Sequence, residues 1–358
     1  MARPRPPLDG PADLRWTRAE EPSAQGELFG DGGWQAGSGE YRGLEFLHVR
    51  ARRIINEVKG AATNLPFRFT INAYRGCSHA CLYCYARPTH EYLGLDSGRD
   101  FDQRIVVKVN AAERLRAELS PARWAGHHIA MGTNTDPYQR AEGRYRLTRA
   151  IIEVLGEAAN PFSILTKSSL VLRDLDVLVA ARERTDVRVN LSIGTLDSDV
   201  WRATEPGTPH PARRLEAVAA LNEAGIPCGV LVAPILPGLS DDREQLEAVA
   251  TACVEAGAVS VSAILLHLRP GVKQHYLETL RASHPAVAAS TERLYPRANA
   301  PKVDQRRASA IVHAAVRRAG GCSAEPRASE HLTGHEHAAP VPEPTRRSPR
   351  PRQLGLDL

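Results

Sequence analysis

Three of the chain's six cysteines, Cys77, Cys81 and Cys84, fall at C-x3-C-x2-C spacing. Thiols this close in sequence serve one metal centre, because a short loop folds their sulfurs toward a common point. A structural zinc site is closed by four ligands, and most iron–sulfur clusters use four cysteines. Three thiolates on a [4Fe–4S] cube leave the fourth iron open to a substrate or cofactor. The zinc alternative needs a fourth ligand, for which His79 or His90 stands close in sequence. Cys228 lies in an apolar run and Cys253 on a helical pattern, so both read as core cysteines.

The elements around this loop follow a repeating order. Phe67-Arg-Phe-Thr-Ile71 alternates as a strand and feeds the cysteine loop directly. Further strands are expected at 105–109, 127–131, 162–165, 187–193, 228–235 and 260–268. Helices are expected at 111–119, 147–159, 170–184, 213–224, 272–282 and from the Ser240-Asp241 cap to Ala256. The strands are apolar throughout, the pattern of a parallel sheet covered by helices. About six or seven βα repeats fit this span, fewer than the eight of a closed barrel. The expectation is an α/β protein built as a partial (β/α)6 barrel. No strand is followed by G-x-G-x-x-G, which argues against a dinucleotide fold.

In such folds chemistry collects at the carboxyl ends of strands. Thr133, Thr135 and Asp136 follow one strand, Thr166 and Lys167 the next, and Ser192 and Thr195 the one after. Ala233-Pro234 and then His267 and Arg269 complete the series. A lysine or hydroxyl suits a carboxylate, and an aspartate suits an ammonium or a ribose hydroxyl.

The cysteine loop, with Tyr83 before its last cysteine, resembles the signature of radical S-adenosylmethionine (SAM) enzymes. Thr135-Asp136-Pro137, Leu165-Thr-Lys167, Asn190-Leu-Ser192-Ile, Glu205-Pro-Gly207 and Val232-Ala-Pro-Ile235 are similar to the spore photoproduct lyase-like branch of that superfamily. The resemblance covers about two thirds of the chain. It implies that Cys77, Cys81 and Cys84 hold a [4Fe–4S] cluster whose open iron takes the amino and carboxylate groups of SAM. Reductive cleavage of SAM then yields a 5′-deoxyadenosyl radical that abstracts hydrogen from substrate. It further implies that Thr135, Asp136, Lys167, Ser192 and the Ala233 backbone contact SAM, with Lys167 at its carboxylate. Glu205, with Arg213 or Arg214, would order the site. A flavodoxin- or ferredoxin-type reductant is implied as partner, because SAM reduction needs a low potential. One departure stands out: the lyase's hydrogen-donor cysteine has no counterpart in Met131-Gly-Thr-Asn-Thr-Asp136.

With 358 residues the chain can bury one barrel-sized core. The expected division is a disordered tail at 1–45, a radical SAM core at 46–300, a helix at 301–319 and a second disordered tail at 320–358. Absence of any run of about 18 apolar residues predicts no membrane span, and the N-terminus lacks the apolar stretch of a secretory signal. Crowded thiols without a disulfide framework fit the reducing cytoplasm. The net charge of +5 is compatible with a nucleic-acid substrate. Hydrogen abstraction from a peptide or small molecule is the alternative, and a non-catalytic metal-binding module is the reading outside enzymes. Gln353-Leu-Gly-Leu-Asp-Leu358 resembles the short peptides that dock on the bacterial sliding clamp, an extended peptide at the end of a flexible tail.

Overall fold

The computed structural model describes residues 33–58, 65–120 and 124–323, and the main chain of 16–18. The clamp-like peptide at 353–358 lies outside the described residues. The strands, in chain order, are β1 (Trp16–Arg18), β2 (Trp34–Ala36), β3 (Glu45–Ala51), β4 (Ile55–Glu57), β5 (Phe69–Ile71) and β6 (Tyr74–Arg75). They continue with β7 (Arg104–Lys108), β8 (Ile129–Met131), β9 (Phe162–Thr166), β10 (Val187–Ser192), β11 (Cys228–Ile235) and β12 (Val261–Leu265).

Two sheets result. The larger runs β12-β11-β10-β9-β8-β5-β4. Its six strands β5 and β8 to β12 are parallel neighbours in sequence order, and β4 pairs antiparallel with β5 at one edge. Helices connect successive strands, among them Leu147–Glu157, Leu175–Arg182, Pro211–Glu223 and Arg243–Glu255. Ile129, Ile164, Val189, Leu191 and Val230 bury their side chains in the main core with Ile151, Leu155, Leu178 and Leu221 from those helices. Burying such aliphatic side chains contributes roughly 1.5–3 kcal/mol apiece.

The smaller sheet differs from the expectation. The strand at Arg104–Lys108 is real, but it pairs with β3 and β6 rather than joining the parallel series. Ile105, Val106 and Val107 are all fully buried, so their apolar run reads alike in either sheet. The expected tail at 1–45 also ends too late. Trp34–Ala36 pairs with β3, and a short 3₁₀ turn follows at Gly39–Tyr41. The segment 44–58, whose apolar period suits a helix or a hairpin, forms β3 and β4, which pair into different sheets rather than with each other.

Beyond β12 the chain holds one helix that its sequence pattern does not mark. Pro285 opens a helix, Pro285–Leu294, as proline at a first helical position does. A longer helix, Lys302–Arg318, buries Ala308, Ile311, Val312, Ala315 and Val316. The cap expected at Ser240-Asp241 is instead Asp242, whose carboxylate accepts from the amides of Glu244 and Gln245. Ser240 Oγ accepts from Leu236 N and Asp241 Oδ1 from Gly238 N, so both shape the preceding turn. Among the described residues, no helix is long and apolar enough to cross a membrane.

Candidate active site

The cysteine loop leaves the carboxyl end of β5 and is clamped from two sides. Gly76 opens it with φ of 83°, and a Cβ there would lie 2.8 Å from the Arg104 carbonyl oxygen. On one side Thr135 Oγ1 donates to the Gly76 carbonyl at 2.7 Å, and Gln139 Nε2 donates to the same oxygen at 2.9 Å. Gln139 Oε1 in turn accepts from Ser78 N at 3.0 Å. On the other side Leu82 N donates to Thr204 O and Gly207 N to His79 O, each at 3.0 Å. Gly207 packs so closely that a Cβ would stand 2.1 Å from the Ser78 carbonyl oxygen. Helices 272–283 and 285–294 supply Tyr276, Leu280 and Ala288 to an apolar cluster that also holds Cys81 and Tyr83.

Cys77 and Cys81 are buried and Cys84 is half-buried; all three are free thiols. Burial pushes each thiol above its ordinary range. Thiolates in this place therefore need the positive charge of bound metal to persist.

All three cysteines line one cavity of about 250 Å³ together with Thr135, Asp136, Lys167, Ser192 and Ala233. The three cysteines and the five residues that the resemblance assigns to SAM are thus brought to one place, beside the carboxyl ends of β8, β9, β10 and β11; Thr133 and Arg269 do not line it. The β11–β12 register slips between Val232 and Ile235, and Ala233 and Pro234 line the cavity at that break. His267, after β12, lines it too. Thr195 and Arg213 do not reach it. Thr195 Oγ1 accepts from Asp197 N at 3.0 Å, and Arg213 pairs with Glu216 on an exposed helix face.

Asp136 is surrounded by donors. Its Oδ1 accepts from Thr166 Oγ1 at 2.6 Å and Tyr138 N at 2.9 Å. Its Oδ2 accepts from Lys167 N at 2.8 Å and lies 3.3 Å from His79 Nδ1. Burial opposes its charge, but His79, Thr166 and the Lys167 amide outweigh burial and hold the carboxyl below its ordinary value.

Lys167 Nζ donates to Ser192 Oγ at 2.7 Å and to the Ala233 carbonyl at 3.2 Å, and pairs with Glu205 at 3.1 Å. Glu205 also accepts from the Tyr83 hydroxyl and from Arg214 Nη2, the latter at 2.5 Å. Arg214 Nη1 continues to the Ser192 carbonyl at 3.0 Å. Of the two arginines near Glu205 in sequence, Arg214 is the partner. Burial works against the Glu205 charge, yet Arg214 and Lys167 bring its carboxyl down to about 2.

Both histidines of the zinc alternative are otherwise engaged. His79 faces Asp136, and His90 Nε2 lies 2.9 Å from the Arg104 carbonyl with its ring edge-on to Phe101. Among the described residues, no three His, Cys, Asp or Glu side chains converge on a single-ion position. Tyr83 and His79, both inside the cysteine motif, also line the cavity, and the motif's spacing alone marks neither as part of its wall.

The Radical SAM superfamily model matches residues 71–250. An uncharacterized protein of Mycobacterium tuberculosis is 45% identical over 258 residues, covering 72% of this chain and 76% of that protein. An uncharacterized protein of Acidianus two-tailed virus is 31% identical over 249 residues, covering 68% and 81%. Among solved structures, a mutant of spore photoproduct lyase aligns with a TM-score of 0.59 at 18% identity, covering 78% of this chain and 81% of the lyase. Another mutant of the lyase, solved with bound AdoMet and dinucleoside spore photoproduct, aligns with a TM-score of 0.58 at 17% identity. These structures share the fold; the family rests on the sequence matches across the cysteine loop and the strands that surround it. The chain belongs to the Radical SAM superfamily.

Proposed function

We propose that this radical SAM enzyme abstracts hydrogen from a nucleic-acid substrate. The observation that carries the reading is the single cavity shared by the three cysteines and by Lys167, Ser192 and Ala233 at the carboxyl ends of the parallel strands. The donor set suits the cofactors of the superfamily: three soft thiolates for a [4Fe–4S] cluster, and polar strand ends for SAM. When bound, these cofactors supply a carbon-centred radical able to remove a hydrogen atom from substrate.

The chain's own residues then divide the work. Cys77, Cys81 and Cys84 hold the cluster. Lys167 presents its ammonium to the SAM carboxylate, with Ser192 and the Ala233 carbonyl fixing where that ammonium sits. Thr135 and Asp136 act as positioning residues, because their side chains already hold Gly76, His79 and the end of β9. The six parallel strands in sequence order support a partial (β/α)6 barrel with its mouth at this cavity. A flavodoxin- or ferredoxin-type protein fits as electron donor, and the cytoplasm as the compartment that keeps such a centre reduced.

The nucleic-acid assignment draws on the net charge of +5 and on the fold shared with spore photoproduct lyase. The chemistry after abstraction differs from that expected of the lyase, since the cavity's only lining thiols among the described residues are the three cluster cysteines. Anaerobic reconstitution with iron and sulfide, followed by mass-spectrometric detection of 5′-deoxyadenosine from SAM with and without DNA, tests the reading. SAM cleavage that DNA stimulates supports it; cleavage that no nucleic acid alters, with no change in the nucleic acid, contradicts the substrate assignment.

A further inference from the structure

Arg87 follows the last cysteine of the motif closely and is fully buried, yet it is not part of the wall of the cysteine cavity. A buried guanidinium is costly unless its donors are met. Here they are spent on the cysteine loop and on the turn that faces it. Nε donates to the Cys81 carbonyl at 3.0 Å, and Nη1 donates to the carbonyls of Ser97 and Gly98 at 3.1 and 3.0 Å. Nη2 pairs with Asp102 Oδ1 at 2.9 Å. The Arg87 main-chain amide donates to the Cys84 carbonyl at 3.2 Å. The guanidinium also stands 5.2 Å from the centre of the Phe101 ring, and the Phe101 carbonyl accepts from Cys77 N at 2.9 Å. Arg87 thus binds the chain at two of the three cysteines, and the residue under its guanidinium holds the third.

The charges of this ion pair do not cancel at the loop. The Arg87 side chain is 0% exposed and that of Asp102 21%, so solvent screens the carboxylate more than the guanidinium. Burial is the largest influence on the Cys84 thiol and pushes it up; Arg87 draws it down more than Asp102 raises it. The field of the pair at Cys84 is therefore net positive. Iron–sulfur potentials depend on net charge, hydrogen bonding and exposure around the cluster. Reduction moves one electron from the donor proposed above to the centre, with no bond made or broken. The added negative charge is stabilised by a buried cation nearby.

Resting on the assignment of the cluster to Cys77, Cys81 and Cys84, we infer that Arg87 is a positioning residue of the cysteine loop whose buried charge raises the reduction potential of the centre, and that Asp102 limits the rise. A fully buried cation tied to the loop does both at once: its fork fixes the Cys81 carbonyl, and its charge favours the reduced state.

The test is a mediated electrochemical titration of the full chain, reconstituted anaerobically with iron and sulfide and without SAM, read by the electron paramagnetic resonance of the reduced cluster. It is run near pH 8, because burial pushes the Asp102 carboxyl up to about 6 and it must be ionised. Arg87→Gln should lower the ratio of reduced to oxidised cluster at fixed potential by roughly tenfold, a shift of about 59 mV for one electron. Arg87→Lys, which keeps the charge, should restore most of that ratio. Asp102→Asn should move the midpoint the opposite way, upward. Arg213→Gln, on an exposed helix face, should titrate as wild type. A purely structural role would lower the iron bound per chain and leave the midpoint of the loaded fraction unmoved, and it could not give shifts of opposite sign. Unmoved midpoints in loaded Arg87→Gln or in Asp102→Asn overturn the inference and leave the cluster assignment standing. Should Arg87→Gln fail to fold or load, Asp102→Asn decides: an upward shift supports the inference, and an unmoved or lowered midpoint overturns it. Wild-type protein that takes up no iron and sulfide overturns the cluster assignment and this inference together.

Discussion

Glu205 Oε1 lies 3.1 Å from Lys167 Nζ, with side chains only 5% and 14% exposed, so the cation that faces the cluster cavity is held by a buried carboxylate. The pair joins two segments far apart in sequence and ties both to the cysteine loop through the Tyr83 hydroxyl. Lysine has three ammonium protons, and Ser192, Ala233 and Glu205 engage all of them. A bound carboxylate would therefore have to share or take over one of these protons from its present acceptor.

Lys167→Ala removes that ammonium while Arg214 still neutralises Glu205. A hydrogen bond to a charged group contributes roughly 1.5–3 kcal/mol, so SAM affinity should fall by about 10- to 150-fold. The charge-transfer absorbance of the reconstituted cluster should persist. Equal SAM titrations for wild type and variant would show that Lys167 does not meet SAM.

Gly207→Ala places a Cβ against the backbone of Ser78 and His79. Backbone on both sides leaves no flexible side chain to yield, so the cysteine loop must shift. Iron bound per chain after reconstitution should drop by at least about half, since metal affinity depends on preset ligand geometry, while far-ultraviolet circular dichroism stays native. Full iron loading with wild-type spectra would show that the loop tolerates the displacement.

Glu205 titrates at about 2 in the folded chain against an ordinary 4.5. A depressed carboxyl stabilises the fold above its ordinary value, and that stability is lost as pH falls from about 4.5 toward 2. The contribution is on the order of 3 kcal/mol. Denaturant unfolding of the metal-free protein should therefore weaken across this window. Glu205→Gln should show a shallower pH dependence there, and parallel curves for the two proteins would remove Glu205 from the acid response.

The site was largely legible in the sequence because its chemistry is local. Cys77, Cys81 and Cys84 share one loop, and Lys167 and Ser192 directly follow or end apolar strands bounded by polar turns. Phe162–Thr166, Val187–Ser192 and Cys228–Ile235 are runs whose burial leaves little ambiguity about strand identity. What stayed hidden depends on long-range pairing. Val106 has the same apolar neighbours whether its strand joins one sheet or the other, and only the partner β3 decides. Trp34–Ala36 is too short and too polar in context to declare itself without β3. The helix at Pro285–Leu294 is short and rich in alanine, which weakens its periodic signal. A separate cavity of about 400 Å³ is assembled from Asn56, Lys108, Tyr92 and Asn134 among others, residues whose proximity no spacing rule reveals.

The central claim is that three cysteines in this cavity support SAM cleavage, and the most direct measurement is 5′-deoxyadenosine formation by anaerobically reconstituted, reduced protein. Wild type should bind iron and sulfide in the proportions of a [4Fe–4S] cluster and convert SAM to 5′-deoxyadenosine and methionine. The Cys77→Ala/Cys81→Ala/Cys84→Ala variant should do neither while retaining a native circular-dichroism spectrum. Wild-type protein that carries one zinc ion and no sulfide when prepared without oxygen, and releases no 5′-deoxyadenosine, would contradict the account.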